Sequence, residues 1–267
     1  AISGVCATAP CPSGLARIAA WVDSPDTNNT TTRVYGGDLF GNLWRFDVND
    51  TIGTAGYEAT RLAILTGPAG TLQPITGRPE LGESNGVALV LVGTGRFLGD
   101  SDRSDATQQS SPTNNKQSFY GIKDALTATG WGLVRGGTAA FVQQTVTVDA
   151  SQNRSVSQNS VNLGSAPGWY IDLPDNGERS YTDPVLVLGT LVFTTNQPTG
   201  TACSSAGQSF IYNLDYRSGA PISGFGGVKI ANALATRPVI VQLDGGAVRS
   251  ITRLGDTSTD VRDVSIG

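Results

Sequence analysis

An all-β fold is predicted by three features of the sequence: its punctuation by glycine, a distinctive hairpin near the start, and a multistrand plan that recurs. Glycine supplies 34 of the 267 residues, 15% are charged, and short apolar runs are separated by Gly, Pro, Asn, Asp and Ser clusters. That is the spelling of many short strands and turns, and it leaves room for little helix. With 39% apolar residues the chain can bury a real core, and residues 1–267 are read as a single region.

The hairpin is Arg33 to Val48, R-V-Y-G-G-D-L-F-G-N-L-W-R-F-D-V, two short alternating strands around a Gly-Asn turn. Val34, Leu39, Leu43, Trp44 and Phe46 supply its apolar content. Gly36, Gly37, Gly41 and Asn42 supply positions that tolerate positive φ and reverse the chain tightly.

The recurring plan is an aromatic-rich strand ending in aspartate, a variable loop, then a strand launched by proline and a glycine turn. The aspartate-ended strands are Leu43 to Asp47, Phe119 to Asp124 and Phe210 to Asp215; the launching prolines are Pro79, Pro184 and Pro238. A thin multistrand unit buries its faces only by packing against the next, so recurrence with irregular spacing favours a β-propeller of four-stranded sheets over a sandwich. Loose matches of this kind also arise in other Gly- and Pro-rich β proteins. Ser101 to Gln117 and Ser151 to Ser165 are polar inserts, too poor in apolar residues to order themselves and expected as exposed loops. The expected fold is thus a modified propeller with polar loop insertions.

Net charge is −4 and no cluster of Lys or Arg exceeds a pair, so nucleic acid is not an expected partner. No apolar run approaches the length needed to span a bilayer as a helix. The chain contains no methionine, which marks it as a piece of a longer protein whose signal peptide could lie upstream. Cys6 and Cys11 could close a short disulfide loop in an oxidising compartment, while pairing of either with Cys203, or three inert thiols, remain open.

Histidine is absent, which removes the commonest general base and zinc ligand, and a non-enzymatic role is expected. Val87 to Gly99 imitates a dinucleotide-binding strand and glycine turn, but the polar residues that follow carry no helical period and no strand ending in an acid. Asp172, Asp175, Glu178 and Asp183 cluster in sequence and are read as turn and strand-end acids, with a glycosidase-like pair as the functional alternative. Trp21, Trp44, Trp131 and Trp169 are read as packing between sheets, with a sugar platform as the alternative.

Seven segments look like parts of the PilC/PilY family of type IV pilus tip-associated adhesins, in family order. They are Gly14 to Asp23, Val34 to Val48, Gln73 to Gly82, Val92 to Gly99, Gly168 to Pro174, Gly177 to Arg179 and Phe193 to Pro198. The resemblance covers Gly14 to Gly219 and implies the C-terminal propeller of a large secreted protein, or a portion of that propeller. It further implies a place at the pilus tip, cell surface or outer membrane, with membrane association only through the pilus machinery. The implied work is pilus assembly, counteracting retraction, adhesion and twitching motility, and the implied partners are pilin or minor pilin subunits and a host or abiotic surface. A quinoprotein-like dehydrogenase and a glycan-binding propeller module are the alternatives.

The family often carries a calcium loop before the V-Y-x-G-D-L strand, and its acidic positions fall here on Ser24, Asp26, Asn28 and Thr32. Calcium takes six to eight oxygens, several of them carboxylate. Asp23, Asp26 and Asn28 are the candidate metal ligands and calcium the candidate cofactor, against a plain polar turn. Asp100, Asp102 and Asp105 form a second acidic stretch, read as a solvated loop.

Overall fold

A computed structural model describes residues 13–53, 57–103, 116–199 and 206–267. In chain order the strands are β1 (Ile18–Ser24), β2 (Asn28–Gly37), β3 (Asn42–Asp47), β4 (Ala59–Ile64), β5 (Glu80–Ser84) and β6 (Val87–Gly93). There follow β7 (Ser118–Asp124), β8 (Val142–Gln144), β9 (Val146–Val148), β10 (Arg154–Val156), β11 (Gly168–Asp172) and β12 (Val185–Val187). The last are β13 (Thr190–Pro198), β14 (Ala206–Asp215), β15 (Gly227–Ala233), β16 (Val239–Gln242), β17 (Val248–Arg253) and β18 (Thr259–Asp263). Among the described residues the one helical element is a single 3-10 turn, Asp100–Arg103, and no helix is long and apolar enough to cross a membrane.

Four sheets result, ordered β1-β2-β3-β4, β5-β6-β7-β11-β8, β12-β13-β14-β15-β10-β9 and β16-β17-β18. The first strand of each sheet touches the first strand of the next, β1 to β5, β5 to β12 and β12 to β16. The sheets therefore stand as four propeller blades around a shared axis. Pro79, Pro184 and Pro238 immediately precede β5, β12 and β16, where the chain enters a sheet at its edge and a missing N–H costs no ladder bond.

The aspartates have an equally regular place. Asp47, Asp124 and Asp215 end β3, β7 and β14, the third strand of their sheets. Each carboxylate accepts the backbone N–H two residues on, from Asn49 at 3.1 Å, Leu126 at 2.9 Å and Arg217 at 2.7 Å. These are side-chain-closed turns, so the repeat is a physical device that stops the third strand.

Strands of the inner sheets are buried on both faces, which explains their unbroken apolar runs. On β6, Val90 and Val92 pack with Tyr35, Leu43 and Leu62 of the first sheet, while Leu91 between them packs with Leu191 and Phe193 of the third. On β13, Leu191 and Phe193 face the second sheet and Val192 faces Val248 of the fourth. Period-two alternation thus hands each neighbour its own half of the strand.

Two expectations are corrected. The blades are not uniformly four-stranded but carry four, five, six and three strands. The reason lies partly in the Ser151 to Ser165 insert, expected as an exposed loop, which instead forms β10 with Arg154 and Val156 buried. Strand β10 pairs with β9 and β15, so chain leaving the second sheet builds the outer edge of the third before returning as β11. Secondly, among the four turn-forming positions of the early hairpin only Gly41 has positive φ, at 73°. Gly36 and Gly37 lie in β2; a Cβ on Gly37 would overlap the Ile75 side chain, so its bareness serves packing between segments.

Candidate functional site

The proposed calcium residues fall on the β1–β2 hairpin. Asp23 lies in β1, where it pairs with Arg33 of β2 and accepts a hydrogen bond from the Trp21 indole at 2.9 Å. Burial pushes the Asp23 carboxyl up, but Arg33, Thr32 and Trp21 outweigh it and hold the group below the ordinary aspartate value. Asn28 opposes Ser24 in the ladder and its side-chain oxygen accepts from the Thr30 backbone at 3.0 Å and hydroxyl at 2.7 Å. Asp26 sits exposed in the turn between them. Oxygens already engaged by arginine, indole and hydroxyl donors do not fit a calcium cage, and among the described residues no three Asp, Glu, His or Cys side chains gather at metal-binding range.

In the second acidic stretch Asp100 is exposed, as read, but Asp102 is not. Asp102 is buried and accepts from Arg96 Nε at 2.8 Å and from the backbone of Leu98 at 2.6 Å, donors that compensate its desolvation. Asp105 and all three cysteines lie outside the described residues.

The four clustered acids are each tied to arginine: Asp172 to Arg135, Asp175 and Glu178 to Arg154, and Asp183 to Arg17. Glu178 is the most enclosed, accepting from Tyr212 at 3.0 Å and from Thr195. Burial pushes its carboxyl above the ordinary glutamate value, and Arg154 and Thr195 offset this only in part. The Arg154 guanidinium lies 3.3 Å over the Phe210 ring, at the heart of the insert that composition alone had marked as solvated.

Three of the four tryptophans pack as expected, Trp169 inside a core cluster and Trp21 and Trp131 against one, whereas Trp44 is half-buried with its indole donating to Asp38 at 3.0 Å. Trp169 is fully buried, stacked 6.4 Å from Phe119, and donates its indole N–H to the Tyr216 carbonyl at 2.9 Å. Trp131 is half-buried and donates to the Lys123 carbonyl at 2.6 Å. In the dinucleotide-like run, Gly95 has a φ of 117° and abuts the Arg179 side chain. A backbone so shielded serves tight packing between segments.

An open groove lies elsewhere, against β8 and β11, and of its walls the sequence reading singles out only Asp172 and the Gly168 to Pro174 segment. It comprises cavities of about 470 and 320 Å³ that share Pro68, Gln143 and Asp172. Arg135 stands in its wall, 4.0 Å over the Tyr170 ring, ion-paired with Asp172 and donating to the Thr66 carbonyl at 2.6 Å. Asp172 also accepts from the Ser118 hydroxyl at 2.7 Å and from the Gln143 amide at 3.2 Å. The Tyr170 hydroxyl donates to Gln143 at 3.2 Å, and burial pushes its phenol upward, so it remains an O–H donor at neutral pH. The sequence signal was the spelling R-G-G after Val134, an arginine on a turn whose Gly136 has φ 67°.

Comparisons with known proteins agree with this architecture. A type IV pilus biogenesis factor PilY1 homologue of Xylella fastidiosa is 30% identical over 259 residues, covering 88% of this chain and 16% of the relative. PilY1 of Pseudomonas aeruginosa is 29% identical over 236 residues, covering 71% of this chain and 19% of the relative. The crystal structure of the Pseudomonas aeruginosa PilY1 C-terminal domain superposes with a TM-score of 0.72 at 20% identity, over 96% of this chain and 62% of that one. The chain therefore spans less than one fifth of the first of these relatives, at 16%. No family model matches it.

Radial blades with strand insertions and an aromatic core between them define a β-propeller domain. The chain belongs to the PilC/PilY family, and it corresponds to the C-terminal propeller domain of the PilY1 proteins.

Proposed function

We propose that this propeller is a non-enzymatic domain acting in type IV pilus biogenesis, through surface contacts with other proteins. The observation that carries the reading is the alignment with a PilY1 homologue across 88% of the chain, joined to the shared propeller fold. The finer reading is a domain at the pilus tip or outer membrane that contacts pilin or minor pilin subunits and a host or abiotic surface. There it supports pilus assembly, counteracts retraction, and promotes adhesion and twitching motility. Support for contact-making over chemistry comes from the acids that sequence alone left open to catalysis, since all four are committed to arginine partners.

The test is an in-frame deletion of the propeller in the native gene, with surface pili counted by electron microscopy and twitching zones measured. Fewer pili and smaller zones are expected. Piliation and twitching equal to the parent strain would overturn the proposal.

A further inference from the structure

We propose that the groove beside Arg135 binds a short oligosaccharide, with Asp172 and Gln143 reading adjacent hydroxyls. The size fits first: two cavities of about 470 and 320 Å³ that share Pro68, Gln143 and Asp172 in their walls accommodate roughly two or three linked hexose rings, on the scale of ordinary ligand clefts. A groove open to solvent also suits a chain-like ligand.

The polar chemistry fits next. Each sugar hydroxyl is both donor and acceptor, and neighbouring hydroxyls are best met by an acceptor and a donor side by side. Asp172 and Gln143 offer that pair. The first oxygen of Asp172 is taken by Ser118 and Arg135, while among the described residues its second meets only the Gln143 amide, at 3.2 Å. That long bond leaves lone-pair capacity facing the groove, and Gln143 is exposed there. Phe141 and Pro68 supply apolar wall for the C–H faces of a ring.

Preorganisation strengthens the case. Arg135 is fixed by the Thr66 carbonyl, by the Ser118 hydroxyl at 3.1 Å and by the Tyr170 ring beneath it, so the wall is set before a ligand arrives. Its charge is cancelled by Asp172, and the Lys116 ammonium at the far end is turned to the Pro174 carbonyl at 2.9 Å. A groove so balanced favours an uncharged, hydroxyl-rich ligand over a polyanion. The site deepens the surface-contact reading above and rests on that reading only for its biological setting.

Purified protein applied to a printed array of neutral and sulfated oligosaccharides tests the site, with hits titrated by calorimetry. Gln143→Ala removes the exposed amide, and Ala140→Trp fills the groove from another exposed position. Binding to neutral oligosaccharides is expected, weakened about ten-fold or more by each substitution at unchanged melting temperature. Failure to bind any neutral oligosaccharide, binding to sulfated sugars alone, or affinity untouched by both substitutions would overturn the proposal. None of those results bears on the piliation test, so the two readings fail separately.

Discussion

Arg45 and Asp124 meet 2.6 Å apart with neither side chain exposed, although they belong to different blades and stand 79 residues apart in the chain. Asp124 also accepts the Tyr35 hydroxyl at 2.7 Å. The acid that closes the turn after β7 is therefore the clamp between the first two sheets. Removing one partner leaves a buried, uncompensated charge on the other.

Asp124→Ala is accordingly expected to destabilise the domain by about 3–5 kcal/mol, measured by urea denaturation. Pairing Asp124→Leu with Arg45→Met should recover much of that loss, because two apolar groups leave no charge stranded. A single substitution costing no more than a surface ion pair would refute the clamp.

Glu178 gives a pH signature. Its carboxyl is raised by burial above the ordinary value of about 4.5, so the folded state binds the proton more tightly than the unfolded chain. The stability this contributes is fully present below the unfolded value and is lost as pH rises through the folded one. Glu178→Gln removes the titration yet keeps an acceptor for Tyr212 and Thr195. The melting temperature of the parent relative to this variant should fall as pH rises from about 4 to about 7. A flat or rising difference would contradict the raised carboxyl.

Trp169 lies between two glycines. A Cβ on Gly121 or on Gly219 would overlap its indole, and Gly219 also has a φ of 70°. Gly121→Ala should cost about 1–3 kcal/mol by overpacking and alter the near-ultraviolet dichroism of the buried indole. Gly99→Ala, which meets open space, serves as the control and should stay within about 0.5 kcal/mol of the parent. Equal behaviour of the two variants would remove the packing explanation.

The β1–β2 hairpin predicts indifference to calcium. Adding millimolar calcium, or chelating it, should leave the melting temperature unchanged, while Asp23→Ala lowers stability by about 1–3 kcal/mol, because it strips the buried Arg33 guanidinium of its carboxylate. A calcium-dependent rise in melting temperature that disappears in Asp23→Asn or Asp26→Asn would show that the hairpin reorganises around the ion.

The strand plan was legible where a residue type does one local job. Aspartate closes a turn onto an amide two residues away, and proline opens an edge strand, so Asp47, Asp124, Asp215, Pro79, Pro184 and Pro238 all marked real boundaries. Less legible was whatever depends on partners distant in the chain. Nothing local tells Arg154 that Asp175 and Glu178 will enclose it, and the polar spelling around it pointed to solvent. Gly37 was read for its dihedral freedom when its purpose is room for Ile75, a contact 38 residues away. Asp172 is legible as a candidate acid, but the groove around it is not, for the same reason: its walls come from Pro68, the stretch after Val134, β8 and β11.

The detour through β9 and β10 makes the third blade depend on polypeptide that precedes the last strand of the second. No single cut in the backbone separates those two blades into intact pieces: severing before β12 strands an outer edge without its sheet, severing before β8 takes two strands from the second blade, and severing before β11 deprives both. Anyone trimming this domain for expression, or exchanging blades between relatives, must therefore move the pair as one cassette.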